Sequence, residues 1–247
     1  MAIRDLTSQR VYVDAALTAG GSVACTPEQA RYLRNVLRLE AGSELLVFNG
    51  RDGEWRATLQ AVGKRGAALE ILNLSRPQEG GPDLWYLFAP LKRSRLDYMV
   101  QKAVEMGVSR LMPVLTQHTI AERVNLDRMR ANAIEAAEQC GVLRLPEVAD
   151  PTKLASLLAA WPPDRALIFC DEAAPQTNPL QTLAQLPKGP MAVLIGPEGG
   201  FSDAERQTIA AKPHAHPISL GPRVMRADTA AVAAMAIVNA VLGDWHM

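Results

Sequence analysis

A chain of 247 residues, 48% hydrophobic and 21% charged, is long enough for one large or two ordinary domains with real cores. Its 26 basic and 26 acidic side chains cancel, which taken alone argues against a nucleic-acid partner. Residues 1–130, however, hold 18 Lys and Arg against 14 Asp and Glu, and residues 131–247 hold 8 against 12, so the first half offers either a polyanion-facing end or an unevenly solvated surface.

No stretch reads as a signal peptide, and the longest apolar run, Ala230 to Val238, is too short to span a bilayer. Cys25, Cys140 and Cys170 are scattered, without C-x-x-C spacing, and His214 and His216 merely flank one alanine. These patterns predict a cytoplasmic protein with reduced thiols and no bound metal.

Residues 10–13 (RVYV) open a strand pattern. Thr26, Pro27 and Glu28 form an N-cap, a first-turn proline and a first-turn acid, which predicts a helix to about Leu39. Its period turns Tyr32, Leu33, Val36, Leu37 and Leu39 inward and puts Arg31, Arg34 and Arg38 on one side. Those arginines are either a solvated face or a phosphate-contacting stripe, and the lack of interleaved acids through residue 39 favours the stripe. Strands are predicted at Glu44–Phe48, Glu54–Val62 and Ala67–Leu74, with Asn49 to Gly53 turning between the first two. The result is a small β-rich domain over residues 1–74. The proline- and glycine-rich run from Ser75 to Pro82 marks its end, and a second domain is predicted over 82–247.

From Leu84 strands alternate with helices: strand Leu84–Ala89, helix Arg95–Met106, strand Arg110–Leu115, helix Leu126–Cys140, then a helix near Thr152–Ala160 and strand Ala166–Cys170. Strands are also predicted at Met191–Ile195 and Pro217–Leu220, with a last helix over Asp228–Leu242. The alternation predicts an α/β domain with a parallel sheet covered on both faces. The last helix is apolar nearly all round, which predicts burial between its own sheet and another subunit.

The most informative stretch joins the buried strand Met191–Ile195 to Gly196-Pro-Glu-Gly-Gly200-Phe and then to Ser202 and Glu205, a reciprocal capping pair that opens a helix ending near Lys212. Three glycines let a ligand approach the backbone, although a tight strand-to-helix turn without a ligand explains them equally well. The loop is neither G-x-G-x-x-G nor a P-loop, and Glu198 within it argues against a phosphate. A second strand end, Gly221-Pro-Arg-Val-Met-Arg226-Ala-Asp-Thr229, repeats the design, and two such loops can make one pocket. Either Arg223 or Arg226 could stand at its mouth for a substrate, or pair with Asp228.

IGPEGGFSDAE and LGPRVMRADTA resemble the two C-terminal signatures of the SPOUT methyltransferases, the RsmE family most closely. The likeness extends to LKRSRLDYMVQKAVEMGVSRLMPVLTQHT, AIEAAEQCG and RYLRNVLRLEAG, and so covers nearly the whole chain. It implies a PUA-like N-terminal RNA-binding domain and a C-terminal SPOUT domain with a trefoil knot, working as a homodimer. It also implies S-adenosyl-L-methionine as donor and N3 of a uridine in 16S ribosomal RNA as acceptor, with free rRNA or the 30S subunit as partner. Carried over by position, the donor site is Leu194, Ile195, Gly196 and Gly200 with Leu220, Gly221, Val224, Met225 and Arg226, and Phe169 to Glu172 make a third wall. Arg226 and Asp228 are the catalytic candidates, and Arg31, Arg34, Arg38, Lys92, Arg93 and Arg95 the RNA contacts. One departure stands out: where the family commonly has L-R-T-E-T, this chain has Met225-Arg-Ala-Asp-Thr229. The residues leave three rivals open, namely methylation of another RNA base, an RNA-binding protein without catalysis, and a dinucleotide oxidoreductase lacking its glycine fingerprint.

Overall fold

The computed structural model describes residues 8–62, 66–120, 123–174 and 178–245. The chain divides into two compact units, one of residues 1–80 together with 137–144, the other of residues 81–136 and 145–247.

The second unit carries the alternating elements, apart from the last four residues of the helix Leu126–Cys140, which fall in the first unit. In chain order these are β6 (Leu84–Phe88), α2 (Arg93–Glu105), β7 (Arg110–Leu115), α3 (Leu126–Cys140), β8 (Glu147–Val148), β9 (Thr152–Lys153), α4 (Leu154–Ala159), β10 (Ala166–Cys170), α5 (Pro179–Ala184), β11 (Met191–Ile195), α6 (Asp203–Ala210), β12 (Ala215–Ile218) and α7 (Ala227–Val241). Its sheet runs β12-β10-β11-β6-β7-β8, with β9 also on β7, and every pairing is parallel. All five residues of β11 are buried, as a central parallel strand requires. The strand predicted at 217–220 lies two residues earlier. Pro217 is tolerated inside β12 because β12 is an edge strand, where a missing N–H breaks no ladder. The short β8, β9 and α5 carry too few periodic positions to be read in advance.

In the first unit, β1 (Arg10–Tyr12), β2 (Ser22–Ala24), β3 (Glu44–Phe48), β4 (Glu54–Val62) and β5 (Gly66–Arg76) form a sheet in the order β1-β3-β4-β5-β2. Asn49 closes the turn between β3 and β4, its Oδ1 accepting from the N–H of Arg51 (3.1 Å) and Asp52 (2.8 Å). Helix α1 (Pro27–Arg31) opens with a capping box between Thr26 and Gln29. The chain then tightens no further but widens into a π-turn over Tyr32–Val36, where the Leu37 N–H reaches back five residues to the Tyr32 carbonyl (3.0 Å). The extra residue rotates the apolar stripe. Leu33 is fully buried, but Tyr32 and Val36, expected inward, are 44% and 64% exposed.

A buried ion triad fastens residues 137–144 into this unit. The Glu54 carboxylate accepts from Arg10 Nε at 2.6 Å and from Arg76 at 3.4 Å, and all three side chains are at most 5% exposed. Arg76 also donates to the Gly141 carbonyl (2.7 Å), and Arg10 to the Glu138 carbonyl (3.3 Å). The Tyr12 N–H donates to the Glu138 carboxylate (2.8 Å). Gly141 holds φ +64°, so the chain reverses there in a conformation that a residue with a side chain rarely adopts. Glu54→Ala removes the carboxylate shared by two buried guanidinium groups, with Arg76 keeping Glu79 at 3.6 Å. The expected cost is about 3–5 kcal/mol, measured as a lower midpoint in chemical denaturation.

Candidate active site

The site begins with strand register. Cys170, the last residue of β10, is level with Ile195 at the end of β11 on one side and with Ile218 at the end of β12 on the other. Three parallel strands therefore release their chains at one height, the place where open α/β sheets collect ligands. The loops that follow, 196–201 and 219–225, converge with residues 170–172 on a cavity of about 320 Å³.

Seven of the positions carried over for the donor line it: Ile195, Gly196, Gly200, Leu220, Gly221, Val224 and Met225. Leu194 sits one residue inside β11, fully buried in the core with Leu87, Phe169 and Ala192. Arg226 is exposed at the N-cap of α7, next to the lining but outside it. Asp228 is in the first turn of the same helix and opens on a different groove, with Tyr98, Thr229, Val232 and Ala233.

The first loop is built for closeness. A Cβ at Gly196 would meet the Phe201 ring at 2.6 Å, and a Cβ at Gly200, where φ is +70°, would meet Glu172 Oε1 at 2.5 Å. Phe201 is 4% exposed and stands edge-on to Phe169, with ring centroids 5.0 Å apart, so it forms a fixed floor between strand and loop. Sequence reasoning missed Phe201; its only signal was an aromatic residue placed directly after the paired glycines. The α6 capping box forms as predicted, with the Ser202 N–H donating to Glu205 at 3.0 Å. The other Glu205 oxygen accepts the Gln117 N–H (2.8 Å). His118 lies against the Gly199 and Gly200 carbonyls, its Nδ1 3.2 and 3.1 Å away, so a proton on Nδ1 is shared between them.

Charge around the cavity is arranged in pairs. Arg206 on α6 binds Asp171 (3.3 Å) and Glu172, and its Nε donates to the Phe201 carbonyl (3.1 Å), so one side chain clamps two walls together. Glu198 is ion-paired with Arg95 in the first turn of α2. Helix α2 is itself braced by Asp97, which accepts from Arg128 (2.7 and 2.5 Å) and Asn132 (2.7 Å); the Arg128 hydrogen bonds hold the Asp97 carboxyl below its ordinary range. Burial pushes the Cys170 thiol up to about 12, so it stays protonated and is not a nucleophile.

The basic candidates fall in two groups. Arg31, Arg34 and Arg38 are exposed on the first unit, where Arg34 and Arg38 border a groove with Leu59 and Gln60; Arg38 is in the left-handed region at φ +56°, which ends the π-turn. Lys92 and Arg93 are exposed at the start of α2, and Arg95 is half-buried against Glu198.

An RNA methyltransferase domain family matches residues 79–239, and an RNA methyltransferase PUA domain matches residues 26–72. A ribosomal RNA small subunit methyltransferase E of Synechocystis is 32% identical over 226 residues, 90% of this chain and 74% of the relative. Among solved structures, a methyltransferase from Legionella pneumophila in complex with bound S-adenosylmethionine superposes with a TM-score of 0.85 at 29% identity, covering 98% of this chain and 100% of that one. The ribosomal RNA small subunit methyltransferase E of Neisseria gonorrhoeae, bound to the same compound, gives 0.86 at 26% identity over 96% and 99%. If the cavity receives such a ligand, Gly196→Ala must displace the Phe201 ring that forms its floor. S-adenosylmethionine affinity, measured by calorimetry, is expected to fall about tenfold or more, the equivalent of an overpacking strain of about 1–3 kcal/mol.

Proposed function

The chain belongs to the ribosomal RNA small subunit methyltransferase E family, and from that premise we propose that it methylates N3 of a uridine in 16S ribosomal RNA, with S-adenosyl-L-methionine as donor. The observation that carries the reading is the convergence of two glycine-bearing strand exits on one cavity, at strands held in common register.

The residues present suit that donor. Ile195, Leu220 and Met225 offer apolar surface for an adenine ring, and the loop backbones offer N–H and C=O groups for its edge. Asp171 and Glu172 put carboxylate oxygens into the lining for a ligand with a sulfonium and an ammonium. At Gly221, where φ is +106°, a Cβ would meet nothing within 4 Å, so the second loop borders open space. A bound donor supplies an already activated methyl group, which the protein has only to orient.

The acceptor needs more help, because uridine N3 carries a proton that must leave while negative charge builds on the ring. Arg226, held beside the cavity by the start of α7, stabilises that charge or fixes the phosphate of the target nucleotide. Asp228 is less suited to taking the proton, since it lines a groove other than the cavity. Arg31, Arg34, Arg38, Lys92, Arg93 and Arg95 bind RNA phosphates.

The protein works in the cytoplasm as a homodimer, joined through α7. One side of that helix is buried on the sheet through Ala231, Ala234, Met235 and Val238, while Val232, Ala233, Ala236 and Ile237 on the other are only half-covered, and Tyr98 and Val224 nearby are 45% and 94% exposed.

Wild-type protein with labelled S-adenosylmethionine is expected to modify a uridine in 30S subunits, located by mapping the rRNA; label in another base, or none, overturns the assignment. Arg226→Ala is expected to lower that rate by about 10²–10³ with donor affinity kept. Replacing any one phosphate-binding arginine should flatten the log–log salt dependence of RNA binding by about 0.7–0.9, read from titrations at several ionic strengths.

A further inference from the structure

Two carboxylates of the cavity, Asp171 and Glu172, are clamped by Arg206, whose other bond is to the Phe201 backbone; they are part of the wall. The third, Glu198, differs in its partner. It rises from the middle of the glycine-bearing loop, lines the cavity, and has a half-exposed side chain. Its ion-pair partner is Arg95, a side chain that stands in the first turn of α2 beside Lys92 and Arg93, where RNA phosphate is expected.

We infer that Glu198 is the group that takes the N3 proton, and that Arg95 holds it idle until RNA phosphate competes for the guanidinium. This rests on the reading of the protein as a uridine-N3 methyltransferase. A phosphate diester and a carboxylate ask the same bidentate geometry of an arginine, so the exchange leaves Arg95 neutralised and both Glu198 oxygens free. One Glu198 oxygen then accepts the N3 proton. The N3 electron pair forms the bond to the methyl carbon, the carbon–sulfur bond breaks onto sulfur to give a neutral thioether, and the carboxylic acid returns its proton to water. Charge balances throughout: a carboxylate and a sulfonium are consumed, and two neutral groups result.

The groups around Glu198 make this exchange selective. Arg95 faces it from α2, and Arg223 from the second loop lines the same cavity; Asp171 and Glu172 across it are neutralised by Arg206; and His118, on the far side of Gly199, is turned to the loop carbonyls. Removing Arg95 therefore removes the ion-pair partner of Glu198.

The test uses the full-length protein. Glu198→Gln is expected to keep S-adenosylmethionine and RNA affinity within about threefold by calorimetry, while single-turnover methylation of 30S subunits falls by about 10²–10⁴ at neutral pH. The wild-type rate should rise with pH through the Glu198 carboxyl and level off; the variant rate should keep climbing with hydroxide. Independently of activity, the Glu198 carboxyl carbon resonance, followed by NMR, should change position in Arg95→Ala relative to the wild type, and should move the same way when an rRNA fragment binds. A Glu198→Gln enzyme as fast as wild type, or one that has lost donor affinity, overturns the inference and leaves the methyltransferase reading standing. So does a Glu198 carboxyl resonance indifferent to Arg95. Wild-type protein that methylates no uridine takes both down together.

Discussion

Parallel pairing of β10 with both β11 and β12 is the constraint on which the site depends. In a parallel sheet each chain crosses to its next strand outside the sheet, so adjacent strands with a common end level must discharge their loops side by side. Here Cys170, Ile195 and Ile218 share that level. A slip of one residue in β11 would invert its alternation and move the glycine-bearing loop relative to the walls on both sides. The tight packing of Leu194 between Leu87 and Phe169 resists such a slip, since those side chains are 0–1% exposed and fill the core below the cavity. Leu194 thus belongs to the foundation of the pocket although it does not touch it.

Space at the site is created by what the loops lack. Gly196 and Gly200 have neighbours at 2.5–2.6 Å from where a Cβ would stand, so the Phe201 floor and the Glu172 wall can close on the backbone itself. The same closeness makes the loop dependent on external bracing, because a glycine-rich turn gains little from its own conformational preferences. Three braces supply it from α6 and the segment after β7: Arg206 on α6, the Gln117–Glu205 bond between the two, and His118 against two carbonyls. Each is polar and at least partly open to water, so the loop keeps some freedom while the strand beneath it does not.

Legibility in the sequence followed the strength of local signals. Strands β3, β4, β7, β10 and β11 could be bounded from their apolar runs, and α6 from Ser202 and Glu205, because burial on a sheet and helix capping are written within a few residues. The π-turn could not be read that way, since any helical wheel assumes 3.6 residues per turn and the insertion at Tyr32–Val36 breaks the count. Nor could the membership of residues 137–144 in the first unit, which depends on Glu54, Arg10 and Arg76 meeting Glu138 and Gly141 across large sequence separations. At the site, glycines and strand ends were visible, whereas the separation of Asp228 from the cavity follows from the rotation of α7 about its axis, and no spacing rule gives that phase.

The pairing of charges also accounts for a neutral chain with a polyanion-binding reading. Net charge weighs every side chain equally, but an arginine already bound to a carboxylate contributes little to the field that RNA meets at a distance. Arg206, Arg10 and Arg76 are consumed within the fold, and so are Asp171, Glu172 and Glu54. Arg31, Arg34 and Arg38 after the start of α1, and Lys92 and Arg93 at the start of α2, are exposed. Arg95 lies between the two classes. Bound to Glu198 it is structural and adds little to the field met at a distance, although its neighbours Lys92 and Arg93 are exposed.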